Sequence, residues 1–529
     1  MIHKTIFQFI SFCTLYAIIV LIFLSSCKFP GNNVADEKSI PNILLIQTDQ
    51  QRYNTIHALG NEKIETPNLD RLVKSGMAFK NSFVSAPACL PSRWSLHSGM
   101  YTTTHRSWSN HHHGQRPETN LSLEFKNAGY RTALIGKNHS FLNKIDMDMI
   151  IQTPNFAGHP EDGRSADRAM DWKAEDDPMH ILTDSAMQLL ASFKDTGSCF
   201  MWLSYLYPHT PYILPDPYFS MYDSVEIPAP IVEPEGLDNA KKPFRQVFHQ
   251  ENNDRLIPYN AEKKKRMKRN YYGMVSLVDH EIGRLLDFLE DNDLRDNTLI
   301  IFTSDHGDYL GDHHMITKSP SMYDCLTRVP LIFSWPGKIR SNIRTDELIS
   351  NIDIMPTVLS LVGLEIPGQV QGISYREFLT ARKSEHGPRE YVFSEYGIPG
   401  KPVNRDVLEK LIPDYKDNPI FFSDPRIPWE ANPIALAGRF RMIRSKDWKF
   451  VEEENGTSEL YDMKNDPNEL VNLWNDPAFI EIQQEMQAAL DEWKYSLPGI
   501  ETDTLDIGFL NMKKYIEFRK QGIKPSRMY

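Results

Sequence analysis

Four apolar runs stand out along the chain, and each gives way to polar residues at its carboxyl end. Ile43-Leu44-Leu45-Ile46 leads into Gln47-Thr48-Asp49-Gln50-Gln51-Arg52, and Thr132-Ala133-Leu134-Ile135-Gly136 leads into Lys137-Asn138-His139. Cys199-Phe200-Met201-Trp202-Leu203 runs on to Tyr207-Pro208-His209-Thr210-Pro211, and Leu299-Ile300-Ile301-Phe302 to Thr303-Ser304-Asp305-His306-Gly307-Asp308. Apolar character without alternation is that of a strand buried on both faces. Ligands of open α/β sheets sit at the carboxyl ends of strands, so the polar clusters stand where function is expected. Taken alone, Asp49 is equally a loop residue capping the next turn. His209, between two prolines, has a nearly fixed backbone and can be aimed with little entropy to lose.

Between these runs the pattern predicts helices at Thr66 to Gly76, Leu121 to Ala128, Glu262 to Asn292 and Asp353 to Leu364, and a further strand at Arg328 to Ser334. Ser220 to Asn260 is rich in proline and reads as an irregular loop at the rim of a pocket. The basic run Lys263 to Arg269 reads as a solvated helix face. From Gly387 the character changes, with short strands at Tyr391 to Glu395, Phe440 to Arg444 and Trp448 to Glu452, and an amphipathic helix at Phe479 to Trp493 to cover them. The fold class is therefore α/β: a large, mixed, mostly parallel sheet sandwiched by helices, with a smaller C-terminal α+β subdomain. The domain reading is a catalytic domain over 40–385 and the subdomain over 386–529.

With 529 residues the chain is long enough for one large domain and a smaller one. A formal charge of −12 argues against a nucleic-acid partner, which calls for a basic face. Lys4 and the apolar run Ile6 to Leu24 end in Leu24-Ser25-Ser26-Cys27, ahead of a polar stretch rich in Pro, Gly and Asn. This reads as an export signal over 1–27 and a linker over 28–39. Leu-Ser-Ser-Cys is similar to a bacterial lipobox, which implies an envelope lipoprotein, periplasmic or outer-membrane-anchored, attached through Cys27; a cleaved plain signal and a retained anchor are the alternatives. Of the other cysteines, Cys199 and Cys325 border apolar runs and read as buried thiols rather than a disulfide.

Asp49, Gln50, Asp305 and His306 offer mostly oxygen donors with one imidazole, which suits a hard divalent cation such as calcium and leaves manganese or magnesium open. The most informative stretch is Cys89-Leu90-Pro91-Ser92-Arg93, closed by Gly99. An isolated cysteine near a helix start is more often a small core residue. Cys-x-Pro-Ser-Arg at this spacing resembles the sulfatase signature of the alkaline-phosphatase-like superfamily. The resemblance implies that Cys89 is oxidised to formylglycine by a maturation enzyme and that its hydrated form attacks a sulfate ester. Gly129-Tyr130-Arg131-Thr132 with Gly136-Lys137 is similar to the second sulfatase signature, and Glu459 to Met463 and Asp466 to Glu469 resemble the C-terminal subdomain.

The same resemblance implies a site in which Asp49, Gln50, Cys89, Asp305 and His306 hold the cation. This chain departs from the common Asp-Asp pair at Gln50, whose carboxamide keeps an oxygen but loses a charge. Arg93 and Lys137 then hold the nucleophile, His209 protonates the leaving alcohol, Lys318 grips the sulfate oxygens, and His139 takes the proton whose loss restores the aldehyde. The implied substrate is a sulfated saccharide, with Trp94 and Ser107 to Gly114 as a sugar subsite or, equally, as core and surface loop. The alternatives are a phosphonate monoester or phosphodiester hydrolase of the superfamily, which shares the Asp-Gln and Asp-His pairs; a phosphoethanolamine transferase, disfavoured by Cys89; and a non-catalytic glycan-binding surface lipoprotein.

Overall fold

The four buried runs lie side by side. A computed structural model describes residues 40–500 apart from 111, 154–164, 195–196, 234–240, 257–260, 319–320, 382–385, 401–402, 412–437 and 454–455, and also 513 and 517. The signal, lipobox and linker expected over 1–39 lie outside the described residues, as do His111, Ser319 and Pro320.

The main sheet has eight strands in the order β4-β3-β5-β1-β6-β7-β2-β8. They are β1 Asn42–Thr48, β2 Met77–Phe83, β3 Arg131–Gly136, β4 Met149–Gln152, β5 Cys199–Ser204, β6 Thr298–Ser304, β7 Arg328–Ser334 and β8 Ile343–Ser350. β1 is central, parallel to both β5 and β6, and only β7 runs against the rest. Side chains alternate across a strand. Leu44 and Ile46 therefore join the core under the helices Pro67–Ser75, Pro178–Phe193 and Ala261–Asp291, while Ile43 and Leu45 join the core under Cys89–Ser98, Leu121–Asn127 and Ile354–Val362. Helices on both faces make the sandwich that the buried runs require.

Strands β2, β4 and β8 escape the sequence pattern for visible reasons. β2 is broken by half-buried Lys80 and Asn81 at a bulge, β8 begins as an edge with exposed Arg344 and Asp346, and β4 is only four residues long. The reading of Ser220 to Asn260 as irregular needs correction, since Phe244–Leu256 is a helix. Pro243 stands just before its start, where a proline is tolerated, and Phe248 is buried. The basic run is also more than a solvated face: Arg266 pairs with Asp223 at 2.5 Å, and Lys268 donates to the carbonyl of Pro228 at 3.0 Å, so the run clasps the loop before it.

A second sheet follows in the order β12-β11-β10-β9, all antiparallel, built from β9 Val392–Tyr396, β10 Phe440–Arg444, β11 Trp448–Glu453 and β12 Glu459–Asp462. The helix Ile480–Ser496 covers it, burying Met486 and Leu490 against Ile443, Phe450 and Leu460. One contact matters for function: the Glu395 amide donates to the Ser85 carbonyl at 2.8 Å, and the Ser394 hydroxyl donates to that of Val84. The small sheet thereby holds the segment that delivers Cys89.

Candidate active site

Cys89 is the first residue of the helix Cys89–Ser98, entered from extended Ala88. Alanine cannot cap, so the helix borrows partners from elsewhere. Asn110 Oδ1 accepts the Leu90 amide at 3.0 Å. Asn351 accepts the Ser85 amide at 2.9 Å and donates to the Ser92 carbonyl at 3.1 Å. The start of the Cys89 helix is thus held by asparagines that lie outside it. Gly99, at φ 67°, closes the helix in a conformation that favours glycine.

One turn beyond Cys89, Arg93 is fully buried among acceptors. Its Nε donates to Asp305 Oδ2 at 2.8 Å, Nη2 to Asp49 Oδ2 at 3.0 Å, and Nη1 to Ser204 Oγ at 2.7 Å and the Lys137 carbonyl at 3.1 Å. Lys137 Nζ lies 2.5 Å from the same Asp49 Oδ2. These cations occupy the outer carboxylate oxygens, and the inner oxygens turn toward the thiol and imidazole. Asp49 Oδ1 is 3.7 Å from Cys89 Sγ and 3.9 Å from His306 Nε2, and Asp305 Oδ1 is 3.8 Å from that nitrogen. His306 Nε2 is 3.1 Å from Sγ, while Nδ1 donates to the Gly307 carbonyl at 2.8 Å, which turns Nε2 inward. Gly307 must be glycine because a Cβ there would lie 2.0 Å from the Cys325 carbonyl oxygen.

One donor atom from each of Asp49, Cys89, Asp305 and His306 lies within 4.8 Å of the others, and all are buried. Two carboxylate oxygens, one imidazole nitrogen and the Cys89 sulfur form a group that could hold a metal ion, and oxidation of Cys89 would replace its soft donor with oxygen. Electrostatics agree. Burial and the adjacent Cys89 push the Asp49 carboxyl up, but Lys137, His209 and Arg93 outweigh them and hold it well below the usual carboxylate range. Burial likewise pushes the Cys89 thiol up, and Lys137, Lys318, His306 and His139 bring it well below its ordinary value.

Around this centre stand the other expected residues. Gln50, at φ 69°, donates its amide to Asp305 Oδ1 at 3.0 Å, takes Lys318 Nζ on Oε1 at 3.2 Å, and donates Nε2 to Asp308 Oδ2 at 2.5 Å. Lys318 is 3.1 Å from His209 Nε2, and His209 Nδ1 donates to the Thr210 carbonyl at 2.5 Å. His139 is half-buried just past the end of β3 and is among the groups that bring the Cys89 thiol down. Lys137 and His209 keep 18% and 22% of their side chains exposed, so they form the mouth of the site, above buried Lys318.

The structure therefore gathers Asp49, Gln50, Cys89, Arg93, Lys137, His139, His209, Asp305, His306 and Lys318 in one place. It does not bring Trp94 there. That indole is buried on another side of its helix, against Phe141 at 4.8 Å and His105 at 5.6 Å, so the core reading holds and it lines no sugar subsite. Trp108 is also buried, stacked on His112 at 4.5 Å. Asn110, in the same stretch, serves the nucleophile helix. Asp308, Asn110 and Asn351 were not assigned from sequence, because a residue that holds another residue carries no spacing signature.

Residues 41–364, more than half of the chain, match the family model described as Sulfatase. The chain belongs to the sulfatase family. It is 28% identical over 493 residues to an arylsulfatase of Clostridium perfringens, covering 83% of this chain and 92% of that one. It is 26% identical over 484 residues to a Delta 4,5-hexuronate-2-O-sulfatase of Bacteroides thetaiotaomicron, covering 87% and 89%. In fold it is similar to the phosphonate monoester hydrolase of Agrobacterium radiobacter, with a TM-score of 0.71, 23% identity and coverage of 86% and 96%. As a member of this family the protein is a hydrolase of sulfuric esters.

Proposed function

We propose that this sulfatase removes sulfate from a sulfated saccharide, using a formylglycine made from Cys89 and one divalent cation, calcium first, with manganese or magnesium as alternatives. The observation that carries the reading is the convergence of Cys89 Sγ, His306 Nε2 and the inner oxygens of Asp49 and Asp305 beneath Lys137, His209 and Lys318. Formylglycine supplies a hydrated aldehyde as nucleophile and the cation a charge that lowers the pKa of its hydroxyl.

The chain's own residues do the rest. Arg93 fixes both carboxylates, so the donor set is built before substrate arrives. Lys137 and Lys318 present ammonium groups to the sulfate oxygens, and His209 Nε2 delivers a proton to the departing alcohol oxygen. His139, beside position 89, takes the proton whose loss regenerates the aldehyde. The hexuronate sulfatase relative supports a saccharide substrate, and Leu24-Ser25-Ser26-Cys27 supports a lipoprotein of the bacterial envelope, attached to the membrane through its N-terminus and needing a formylglycine-generating partner. Gln50 favours a second reading, hydrolysis of phosphonate monoesters, through the Asp-Gln pair.

Four measurements test this. Peptide mass spectrometry of active protein should show position 89 as formylglycine, and thiol alone in fully active enzyme would sink the proposal. With converted protein, kcat/KM for sulfated saccharides and an aryl sulfate should exceed that for an aryl phosphonate by at least about tenfold, which corresponds to about 1.4 kcal/mol in the transition state. Faster hydrolysis of the phosphonate than of every sulfate transfers the assignment to the second reading. Chelation should abolish turnover, and Asp305→Ala should lower cation occupancy measured by elemental analysis.

A further inference from the structure

We propose that Asp308 is a positioning residue that turns the Gln50 carboxamide so that its oxygen faces Lys318 and the cation site. The inference rests on the cation reading above. A carboxamide has an acceptor at one corner and two donors at the other, and rotation about its last bond exchanges them. An aspartate at position 50 would not have this problem, because its two oxygens are equivalent. With glutamine, something has to choose.

The partners on either side make the choice. Asp308 is fully buried, and its Oδ2 takes Gln50 Nε2 and the Tyr212 hydroxyl, each at 2.5 Å, while Oδ1 takes the Leu310 amide at 2.8 Å. Each of these contacts sets a donor against an Asp308 oxygen, so both oxygens act as acceptors here and meet the donor corner of the carboxamide. On the opposite corner, Lys318 Nζ lies 3.2 Å from Gln50 Oε1, and an ammonium can only donate. The reversed carboxamide would set oxygen against carboxylate and NH2 against ammonium, so both contacts would turn repulsive. Both residues are also held through their backbones. The Gln50 carbonyl accepts the Tyr271 hydroxyl at 2.6 Å, and Arg52 Nη1 donates to the carbonyls of Asp308 at 3.1 Å and Tyr309 at 2.8 Å. Asp308 thus acts on the cation site through Gln50 and lies outside the group of converging donor atoms.

The test is calorimetric titration of calcium into metal-free protein. Asp308→Asn offers either a donor or an acceptor, so the choice is lost, and affinity should fall by about 10- to 100-fold, as for other residues that orient metal ligands. Gln50→Glu alone places two carboxylates against each other and should also weaken binding. Combining Gln50→Glu with Asp308→Asn exchanges donor and acceptor across the contact and returns an oxygen to the site, so the double variant should bind about tenfold more tightly than either single one. Wild-type affinity in either single variant, or no recovery in the pair, would overturn the assignment of Asp308 alone. No binding of calcium, manganese or magnesium by the wild-type protein would overturn the cation reading and this inference with it.

Discussion

His209 shows how one hydrogen bond assigns a residue its chemistry. Nδ1 donates to the Thr210 carbonyl, so any proton given to substrate has to leave from Nε2, the nitrogen that lies 3.1 Å from Lys318 and 4.0 Å from Asp49 Oδ1. A general acid matters most when the leaving alcohol is a poor one. His209→Asn should therefore cost about 10²- to 10⁴-fold in kcat/KM on a sugar sulfate and little on an aryl sulfate with an acidic phenol. Rates across a series of aryl sulfates of graded phenol acidity check this, since parallel plots for wild type and variant would remove His209 from that role. Most of the candidate site residues were legible in the chain because they follow buried strands or sit in Cys-x-Pro-Ser-Arg, whereas Lys318 was named only through the sulfatase resemblance. Asn351 was not, since its partner Ser92 is 259 residues away and nothing local marks an asparagine as a clamp.

The helix of Cys89 carries a second consequence on its inner side. His97 is fully buried, with its ring 4.2 Å from that of Trp202, and burial together with Arg93 pushes its pKa down to about 3. The folded-state value is below the unfolded one of roughly 6.5, so the unfolded chain takes up a proton that the folded chain refuses. Stability from keeping His97 neutral is complete above pH 6.5 and is lost as pH falls toward 3, by about 1.4 kcal/mol per pH unit. His97→Gln should accordingly show a shallower loss between pH 6.5 and 5 in urea denaturation. Asp177, pushed up to about 6, titrates in the same range but is common to both proteins. Parallel curves would mean that His97 is protonated in the fold. At this scale, strands with continuous apolar cores and helices with clear ends were legible, whereas β2 and β8 were not, because half-buried polar residues interrupt β2 and exposed charged ones open β8.

The two sheets are joined through buried charge. Lys449 of β11 is fully buried, 2.5 Å from Asp324 and 2.6 Å from Glu469, and it donates to the Met322 carbonyl at 2.9 Å. Asp324 opens the short helix Asp324–Thr327 that leads into β7, so the small sheet braces the entry to a strand of the large one. Burial pushes the Glu469 carboxyl up to about 7, with Asp324 adding to the rise and Lys449 opposing it. Removing the lysine takes the nearest cation from both carboxylates and leaves Asp324 with Arg328 at 3.6 Å and Arg444 at 3.9 Å, and breaking a buried pair costs about 3–5 kcal/mol. Lys449→Met should lower the urea midpoint accordingly; an unchanged midpoint would show that the carboxylates are solvated or protonated without it.

By itself the sequence determined the α/β class and the strands that lead to the site, because burial on both faces leaves a local pattern, and its sulfatase-like motifs named the residues that the fold brings together there. Tertiary structure alone decided that Trp94 is core, that Asn110 and Asn351 hold the nucleophile helix, that Asp308 meets Gln50, and that Lys449 ties the two sheets together. Those roles are contacts between residues far apart in the chain, and a contact acquires its energy only when folding removes both partners from water.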